Sequence, residues 1–287
     1  MRYLKKAPWL AAGGAFFMLS IASLSNLENS HARDRVISEP SRSNYATRDT
    51  YCRLQGSGEA VFVRHIYDGD TLLLEDGRRV RLLGVNTPEL GNGKQPDQAF
   101  ARAAKQAVES FFTDGQQVWM QTDMQLLDRH GRLLAHVFKG ESIARGENLE
   151  QSLLEQGLAW HVAMPPNLQL AACLASAEDK ARHERLGLWA RYAPTVLEGK
   201  GLTTGGYQRI RARVATVVLA DAWWINFADD FAAVIYPENQ KYFSRARVAG
   251  WEGRWLELEG WIYPVQYKSR WQWRVRLETP YAVAERS

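Results

Sequence analysis

Residues 67–89, YDGDTLLLEDGRRVRLLGVNTPE, decide the fold of the first half of the chain. Two short apolar runs flank Asp76-Gly77, a dipeptide favoured in two-residue hairpin turns. Such a turn would place residue 72 opposite residue 81, with Asp70 and Arg81 as diagonal neighbours on one face of the hairpin. The stretch therefore predicts a hairpin that points a carboxylate and an arginine at the same spot.

The end of this stretch adds polar side chains just beyond the second strand. Asn86, Thr87 and Glu89 follow in a segment that Pro88 keeps out of regular strand pairing. A carboxylate, an arginine and a glutamate suit phosphoryl transfer, in which positioning and charge stabilisation do most of the work. From these residues alone, a solvated rim with a surface ion pair is the competing interpretation.

Further strands and helices are predicted downstream. Residues 95–112 show helical spacing behind Pro96-Asp97, which predicts a helix start. Residues 116–124 and 133–140 flank the turn DRHGR and predict a second hairpin. Asn148, with Gln151 three residues on, predicts a capped helix start, and residues 167–189 predict a last helix. This order favours a small barrel with helices packed on it.

Four motifs occur in an order and approximate spacing that resemble the staphylococcal nuclease (thermonuclease) family: YDGDTLLL, RLLGVNTPE, DRHGR and LLEQGLAW. The resemblance covers residues 58–190. It implies an α+β fold, an OB-type five-stranded β-barrel with three helices. It also implies a calcium-dependent nuclease that cuts single-stranded or unwound DNA and RNA and leaves 3'-phosphate ends.

By this resemblance, one group of residues would hold calcium. Asp70 would be a ligand, Thr87 would contribute its backbone carbonyl, and Asp68 would support the site from behind the ligands. Asn86 stands where the best-studied members have a second carboxylate ligand. Calcium accepts amide oxygens, but the change removes one negative charge. We therefore expect an active site with a weaker affinity for calcium.

By the same resemblance, a second group would bind and cleave the substrate. Arg81 and Arg132 would grip the scissile phosphate, and Glu89 would be the general base. Arg129 and His130 would bind the neighbouring phosphate. The family has tyrosines for base stacking after GLA, whereas this chain has Trp160, His161 and Met164. Trp160 or His161 is expected to stack on a base or, alternatively, to fill the core.

The chain divides into five predicted segments. A basic start and an apolar run, residues 9–24, are typical of an export signal or of a membrane anchor. The segments are a signal peptide or anchor at 1–32, a linker at 33–55, a nuclease domain at 56–193, a linker at 194–206, and a Trp-rich β domain with a loose resemblance to an OB-type barrel at 207–287.

Export would change how the net charge and the two cysteines are interpreted. Loss of residues 1–32 would lower the net charge from +4 to +2, so charge says little about partners. The protein would be periplasmic or secreted, or anchored through residues 9–24. In an oxidising compartment Cys52 and Cys173 are candidates for one disulfide, with two free thiols as the alternative.

The tail holds seven of the eleven tryptophans, in about five predicted strands. Arg209, Arg211 and Arg213 alternate on one strand and predict a basic face that could hold single strands, while core packing is the competing role of the tryptophans. No protein partner is evident. A barrel that binds nucleic acid or protein without cutting is the alternative function.

Overall fold

The computed structural model describes residues 51–112, 117–191, 194–197, 202–228, 230–267 and 269–286. The predicted signal or anchor at 1–32, including residues 9–24, lies outside these ranges, as does the predicted linker up to residue 50. No helix within the described ranges is long and apolar enough to cross a membrane.

The first half of the described chain forms a closed barrel. Its strands are ordered β3-β2-β1-β5-β6, and β3 also pairs with β6 in parallel, which closes the ring. The strands are β1 (Glu59–Ile66), β2 (Thr71–Leu74), β3 (Arg79–Leu82), β4 (Val85–Asn86), β5 (Gln117–Leu127), β6 (Leu133–Lys139), β7 (Glu147–Asn148) and β8 (Trp160–His161). β7 extends the sheet beside β6, and β4 pairs with β8 as a separate ribbon.

Three helices cover this barrel, as predicted: α1 (Ala101–Phe111), α2 (Leu149–Glu155) and α3 (Ala171–Glu184). Strand alternation directs apolar side chains inward, where Leu72, Val80 and Val137 are almost fully buried. Helix residues such as Val108 and Leu153 complete the same core. The α+β barrel with helices is confirmed.

The register of the first hairpin differs from the prediction. Arg81 pairs with Thr71, and the N–H of Leu74 donates to the carbonyl of Arg78 at 2.9 Å, so the loop has three residues. Gly77, at φ +89°, takes the left-handed position that ends such loops. A one-residue slip exchanges the two faces. Arg81 therefore points away from Leu72, and it meets Asp70 only because Asp70 lies in the bend before β2.

The first helix begins later than predicted. Phe100 has a φ of 70° and α1 starts at Ala101, so Pro96-Asp97 is not a helix start. Asp97 instead accepts a hydrogen bond from the N–H of Gly91 at 2.8 Å, within a loop. The capped start of α2 is confirmed, since the Asn148 side chain accepts from the N–H of Gln151 at 2.7 Å.

A disulfide joins Cys52 to Cys173, with the two Cα atoms 5.6 Å apart. The predicted pair is therefore confirmed, and the free-thiol alternative is wrong. The bond joins the segment before β1 to α3, the last of the three helices in the sequence. The N–H of Cys52 also donates to the Gln151 side chain at 2.7 Å, which ties the same segment to α2.

The tryptophan-rich region forms a second closed barrel. Its strands pair in the order β10-β11-β12-β14-β13, and β13 returns to β10, while β12 and β14 run parallel. This order repeats that of the first barrel. The strands are β9 (Thr195–Leu197), β10 (Gly206–Leu219), β11 (Trp223–Phe227), β12 (Phe231–Ile235), β13 (Trp255–Tyr267), β14 (Arg270–Arg276) and β15 (Val283–Arg286).

Two short helices, α4 (Pro237–Gln240) and α5 (Arg245–Ala249), connect the third and fourth strands of this barrel, as α1 does in the first. Its core includes Ile210, Ile225, Phe231 and Trp251, so part of the aromatic content is structural. β9 lies within residues 194–206 and pairs with β10, which makes this part of the connecting segment a strand of the second sheet.

All described residues belong to one compact unit, and a buried ion network links its two barrels. Arg182 of α3 donates to Glu259 of β13 at 2.6 Å and to Glu178 at 2.8 Å. Arg209 contacts Glu259 and Glu257. Arg182 and Arg209 both stack on Trp189, at 4.4 and 4.8 Å. The predicted basic face on β10 is therefore wrong for Arg209, whose charge is paired inside the molecule.

Candidate active site

Asp70 lies at the open end of the first hairpin, where its side chain accepts hydrogen bonds from two threonines. It is 5% exposed, and one carboxylate oxygen accepts from the N–H and the hydroxyl of Thr87 at 2.9 and 3.0 Å. The other oxygen accepts from the Thr71 hydroxyl at 3.2 Å. The first residue of β2 and the residue that follows β4 thus meet at this carboxylate.

Arg81 lies across from Asp70 and is held by backbone carbonyls. Its Nη1 donates to the carbonyls of Leu82 and Val85 at 3.0 and 2.9 Å, and its Nη2 lies 3.2 Å from the Asp70 carboxylate. The same Nη2 donates to the Asn86 amide oxygen at 3.2 Å. The guanidinium plane is consequently fixed beside Asp70.

Arg132 reaches the same place from the second hairpin. Its Nε donates to Asp128 at 2.7 Å and its Nη1 donates to the Thr71 hydroxyl at 3.3 Å. Because Thr71 also binds Asp70, one hydroxyl links Arg132 to the carboxylate that Arg81 contacts. The structure therefore brings together both arginines predicted to bind phosphate.

Glu89 completes the cluster from a loop. Its N–H donates to the Gln98 side chain at 2.9 Å, and its carbonyl accepts from the N–H of Gln98 at 3.0 Å. Burial, together with the charges of Asp70 and Asp68, raises the pKa of Glu89, while Arg81 and Arg132 oppose the rise. Its carboxylate thus lies within the electrostatic field of both arginines.

Asp68 supports Asp70 from within the same bend. Its carboxylate accepts from the N–H of Asp70 at 3.0 Å, which fixes the backbone that carries the Asp70 side chain. Burial and the neighbouring Asp70 charge raise the pKa of Asp68. The contact matches the supporting position predicted for Asp68.

Comparison with known proteins supports the family resemblance that the four motifs indicated. The family model described as "Staphylococcal nuclease homologue" matches residues 79–191. A thermonuclease from Staphylococcus intermedius is 34% identical over 137 residues, which cover 47% of this chain and 78% of that protein. The chain belongs to the staphylococcal nuclease family.

Two further relatives match a similar share of the chain. A thermonuclease from Staphylococcus hyicus is 30% identical over 141 residues, covering 48% of this chain and 80% of that protein. Endonuclease YncB from Bacillus subtilis (strain 168) is 28% identical over 129 residues, covering 43% of this chain and 58% of that protein. The chain is a nuclease, a hydrolase whose substrate is nucleic acid.

The nuclease site offers only oxygen atoms to a cation. Among the described residues, no three His, Cys, Asp or Glu side chains form a metal-holding group. Asp70 supplies a carboxylate, Asn86 a neutral amide oxygen, and Thr87 a backbone carbonyl on a residue that is 2% exposed. Such hard oxygen donors fit calcium better than zinc.

Arg129 and His130 lie on the turn between β5 and β6. Both side chains are exposed, and Nε of Arg129 lies 3.1 Å from the His130 ring. They sit on the turn that leads into Arg132, outside the contacts made by Asp70. Their binding of a neighbouring phosphate stays a prediction.

Trp160 does not offer the stacking surface that the sequence suggested. Its backbone pairs with Asn86, but its ring is 9% exposed and packs with Ala181, Leu188 and Trp189. Its centroid lies 5.6 Å from that of Tyr207, in the second barrel. The prediction of base stacking by Trp160 is wrong because this ring fills the core instead.

Three residues that position the site were missed from the sequence. Thr71 joins Asp70 to Arg132, Gln98 holds the backbone of Glu89, and Asp128 holds Arg132 and caps its turn. Thr71 and Asp128 both stand within the quoted motifs, which was the available signal. Gln98 carries no such signal because its role depends on the loop that brings it back to Glu89.

Proposed function

We propose that this nuclease is an exported, calcium-dependent enzyme that hydrolyses phosphodiester bonds of single-stranded or unwound DNA and RNA and leaves 3'-phosphate ends. The observation that carries the proposal is the convergence of Arg81, Arg132 and Glu89 around the buried Asp70. The four groups supply phosphate binding, charge stabilisation and a base in one place.

In the proposed reaction, Arg81 and Arg132 hold the non-bridging oxygens of the scissile phosphate. Guanidinium groups suit this task because they donate in a planar fork and stay charged. Glu89 accepts a proton from the water that attacks phosphorus. The bond from phosphorus to the 5'-oxygen breaks, the leaving oxygen takes up a proton, and the phosphate stays on the 3' side.

Asp70, the Asn86 amide oxygen and the Thr87 carbonyl would hold the calcium. Bound there, calcium would supply Lewis-acid polarisation of the phosphate. The neutral Asn86 favours weak binding, because the site then has one ligand charge fewer than a site with two carboxylates. Arg81 also donates to both Asp70 and Asn86, which places a positive charge beside the ligands.

Export is supported by two features. Residues 1–32 have the pattern of a signal or anchor, and the Cys52–Cys173 disulfide suits an oxidising compartment. A tether through residues 9–24 is the alternative to a cleaved signal. Fractionation of cells and N-terminal sequencing of the mature protein test it, and a protein found in the cytoplasm with reduced cysteines would contradict it.

Cleavage of a labelled single-stranded DNA, with calcium titrated and the product ends analysed, tests the reaction. We expect calcium-dependent cutting that leaves 3'-phosphates, is abolished by EDTA, and collapses in Glu89→Ser. Binding without cutting at any calcium concentration would instead favour a binding module.

A further inference from the structure

A cavity of about 250 Å³ lies between the segment after β8 and the second barrel. His161 to Met164 line it from the first barrel and its β8 segment, and Tyr207, Trp261 and Tyr281 line it from the second half of the chain. Thr279 closes the junction, since its hydroxyl donates to the carbonyl of Ala163 at 3.3 Å. The cavity is therefore built by both barrels together.

Two aromatic pairs give this cavity its chemical character. The rings of His161 and Tyr281 meet edge to face at 5.6 Å, and those of Tyr207 and Trp261 meet edge to face at 4.8 Å. Trp261 is 48% exposed although it is a large aromatic residue at a cavity. Aromatic walls with one exposed tryptophan suit a flat, unsaturated ring as ligand.

Polar groups at the cavity could orient such a ring. Arg276 and Glu278 line it and contact each other at 3.2 Å, and Arg276 also donates to Glu238, outside the cavity lining, at 2.7 Å. A carboxylate accepts hydrogen bonds from exocyclic amines of bases, and a guanidinium donates to base carbonyls or to phosphate. The third ionic group, Glu259, is already paired with Arg182 at 2.6 Å, so it adds little net charge.

The cavity adjoins the nuclease site through the ribbon of β4 and β8. His161 pairs with Val85 and Trp160 pairs with Asn86, so the cavity wall lies one strand away from the predicted calcium ligand. Neighbouring strands are roughly 4.8 Å apart. The N–H of His161 also donates to Glu178 at 2.8 Å, which anchors this wall to α3.

We infer that this cavity binds one nucleobase of the substrate strand, stacked against Trp261 while the active site holds the phosphate. Its volume lies below the roughly 300–1,000 Å³ of sites for drug-sized ligands, and it therefore suits one base rather than several nucleotides. The second barrel thus replaces the stacking surface that Trp160 does not provide. The inference rests on the proposed nuclease function.

The test combines protein variants with a set of single-stranded DNA oligonucleotides, each lacking the base at one position. In the unsubstituted full chain, we expect removal of one particular base to raise the KM for cleavage about five- to hundredfold, the range of base–aromatic stacking. Trp261→Ala should raise KM by a similar factor on the complete oligonucleotide with little change in kcat. In that variant, removing the same base should not raise KM further.

Two further variants make the result specific. Trp261→Phe should restore most of the loss, because it returns an aromatic face. Phe62→Ala is the matched control, since Phe62 is 47% exposed on β1 and does not line the cavity, and it should keep the unsubstituted KM. An equal effect of Phe62→Ala, or the same base-removal profile in Trp261→Ala as in the unsubstituted chain, would overturn the inference while leaving the nuclease function intact.

If the protein binds DNA without cutting it, the proposed function fails and the cavity is tested by affinity instead. The same oligonucleotides would be titrated against the full chain and Trp261→Ala. A single position whose base matters only when Trp261 is present supports the base cavity. An affinity that does not depend on which base is missing overturns the inference.

Discussion

The Arg81 guanidinium lies 3.2 Å from the amide oxygen of Asn86, through the same nitrogen that contacts Asp70. A predicted calcium ligand and a predicted phosphate-binding arginine therefore touch directly. In the proposed roles, Arg81 serves both the calcium ligands and the substrate phosphate, so we expect the charge at position 86 to affect both.

We expect Asn86→Asp to lower the calcium concentration for half-maximal cleavage several-fold, because a second carboxylate adds ligand charge. Calcium titration of cleavage rates checks this. Asn226→Asp, which adds the same charge on the second barrel, should leave the midpoint unchanged. An unchanged or higher midpoint in Asn86→Asp would count against an active site weakened at this position.

Gln98→Ala should lower kcat about tenfold with a smaller effect on KM, because the Glu89 backbone loses its hydrogen bond to the side chain. Steady-state kinetics measure this, and the free energy of unfolding should change by less than about 0.5 kcal/mol at this exposed site. Gln95→Ala, in the same exposed loop, is the control. Equal losses in both variants would argue for a general effect of the loop.

Asp128→Asn should destabilise the protein by about 1 kcal/mol at neutral pH, because the Arg132 side chain loses its charged acceptor. Although burial opposes it, hydrogen bonds from Arg132 and from the N–H of His130 lower the pKa of Asp128. The stabilisation is therefore complete above the unfolded-state pKa of about 3.9 and is lost as the pH falls through the lower folded-state pKa.

Urea unfolding of both proteins between pH 7 and pH 2 checks this dependence. The difference between Asp128→Asn and the unsubstituted protein should shrink below about pH 4. Glu109→Gln, which changes an exposed carboxylate on α1, should show no comparable difference at neutral pH. A gap that stays constant down to pH 2 would refute the electrostatic origin.

Arg182→Ala should cost about 3–5 kcal/mol, because it leaves Glu178 and part of the Glu259 charge without their buried partner. Denaturant unfolding measures the loss. Arg145→Ala removes an exposed ion pair with Glu141 and should change stability by less than about 1 kcal/mol. If Arg182→Ala lost no more stability than Arg145→Ala, the network would contribute little to holding the barrels together.

Reduction of the Cys52–Cys173 bond should lower the free energy of unfolding by about 2–4 kcal/mol, since the bond closes a long loop in the unfolded chain. Urea unfolding with and without dithiothreitol tests this. A Cys52→Ala/Cys173→Ala double variant should start from the lower value and show no response to the reductant. A response in that variant would show that the reductant acts elsewhere.

Local chemistry explains which predictions succeeded. Asn148 was recognisable as a helix cap because capping involves residues three apart, and the second hairpin was marked by its turn. The hairpin at Asp76-Gly77 was not placed correctly, because the dipeptide suits two- and three-residue loops alike. Only the wider sheet decides between them.

Trp160 shows a second reason why the sequence did not predict some contacts. Its ring is buried against Tyr207, 47 positions further along the chain, and no periodicity in the sequence reports such a contact. Gln98 is similar, because it acts on Glu89 through a loop whose path depends on Gly91 and Asp97. The meeting of Asp70 with Arg81 was predictable because both residues lie in one hairpin, whereas contacts that depend on tertiary folding were not.

The bond between Cys52 and Cys173 spans the nuclease barrel from before its first strand to its last helix. A protease cut in any loop between these cysteines would leave two fragments that remain covalently joined. Strands on either side of the cut would still be paired, and Asp70, Glu89 and Arg132 all lie inside the closed loop. In the proposed exported enzyme, a molecule nicked by a protease would thus keep the proposed catalytic groups in one piece.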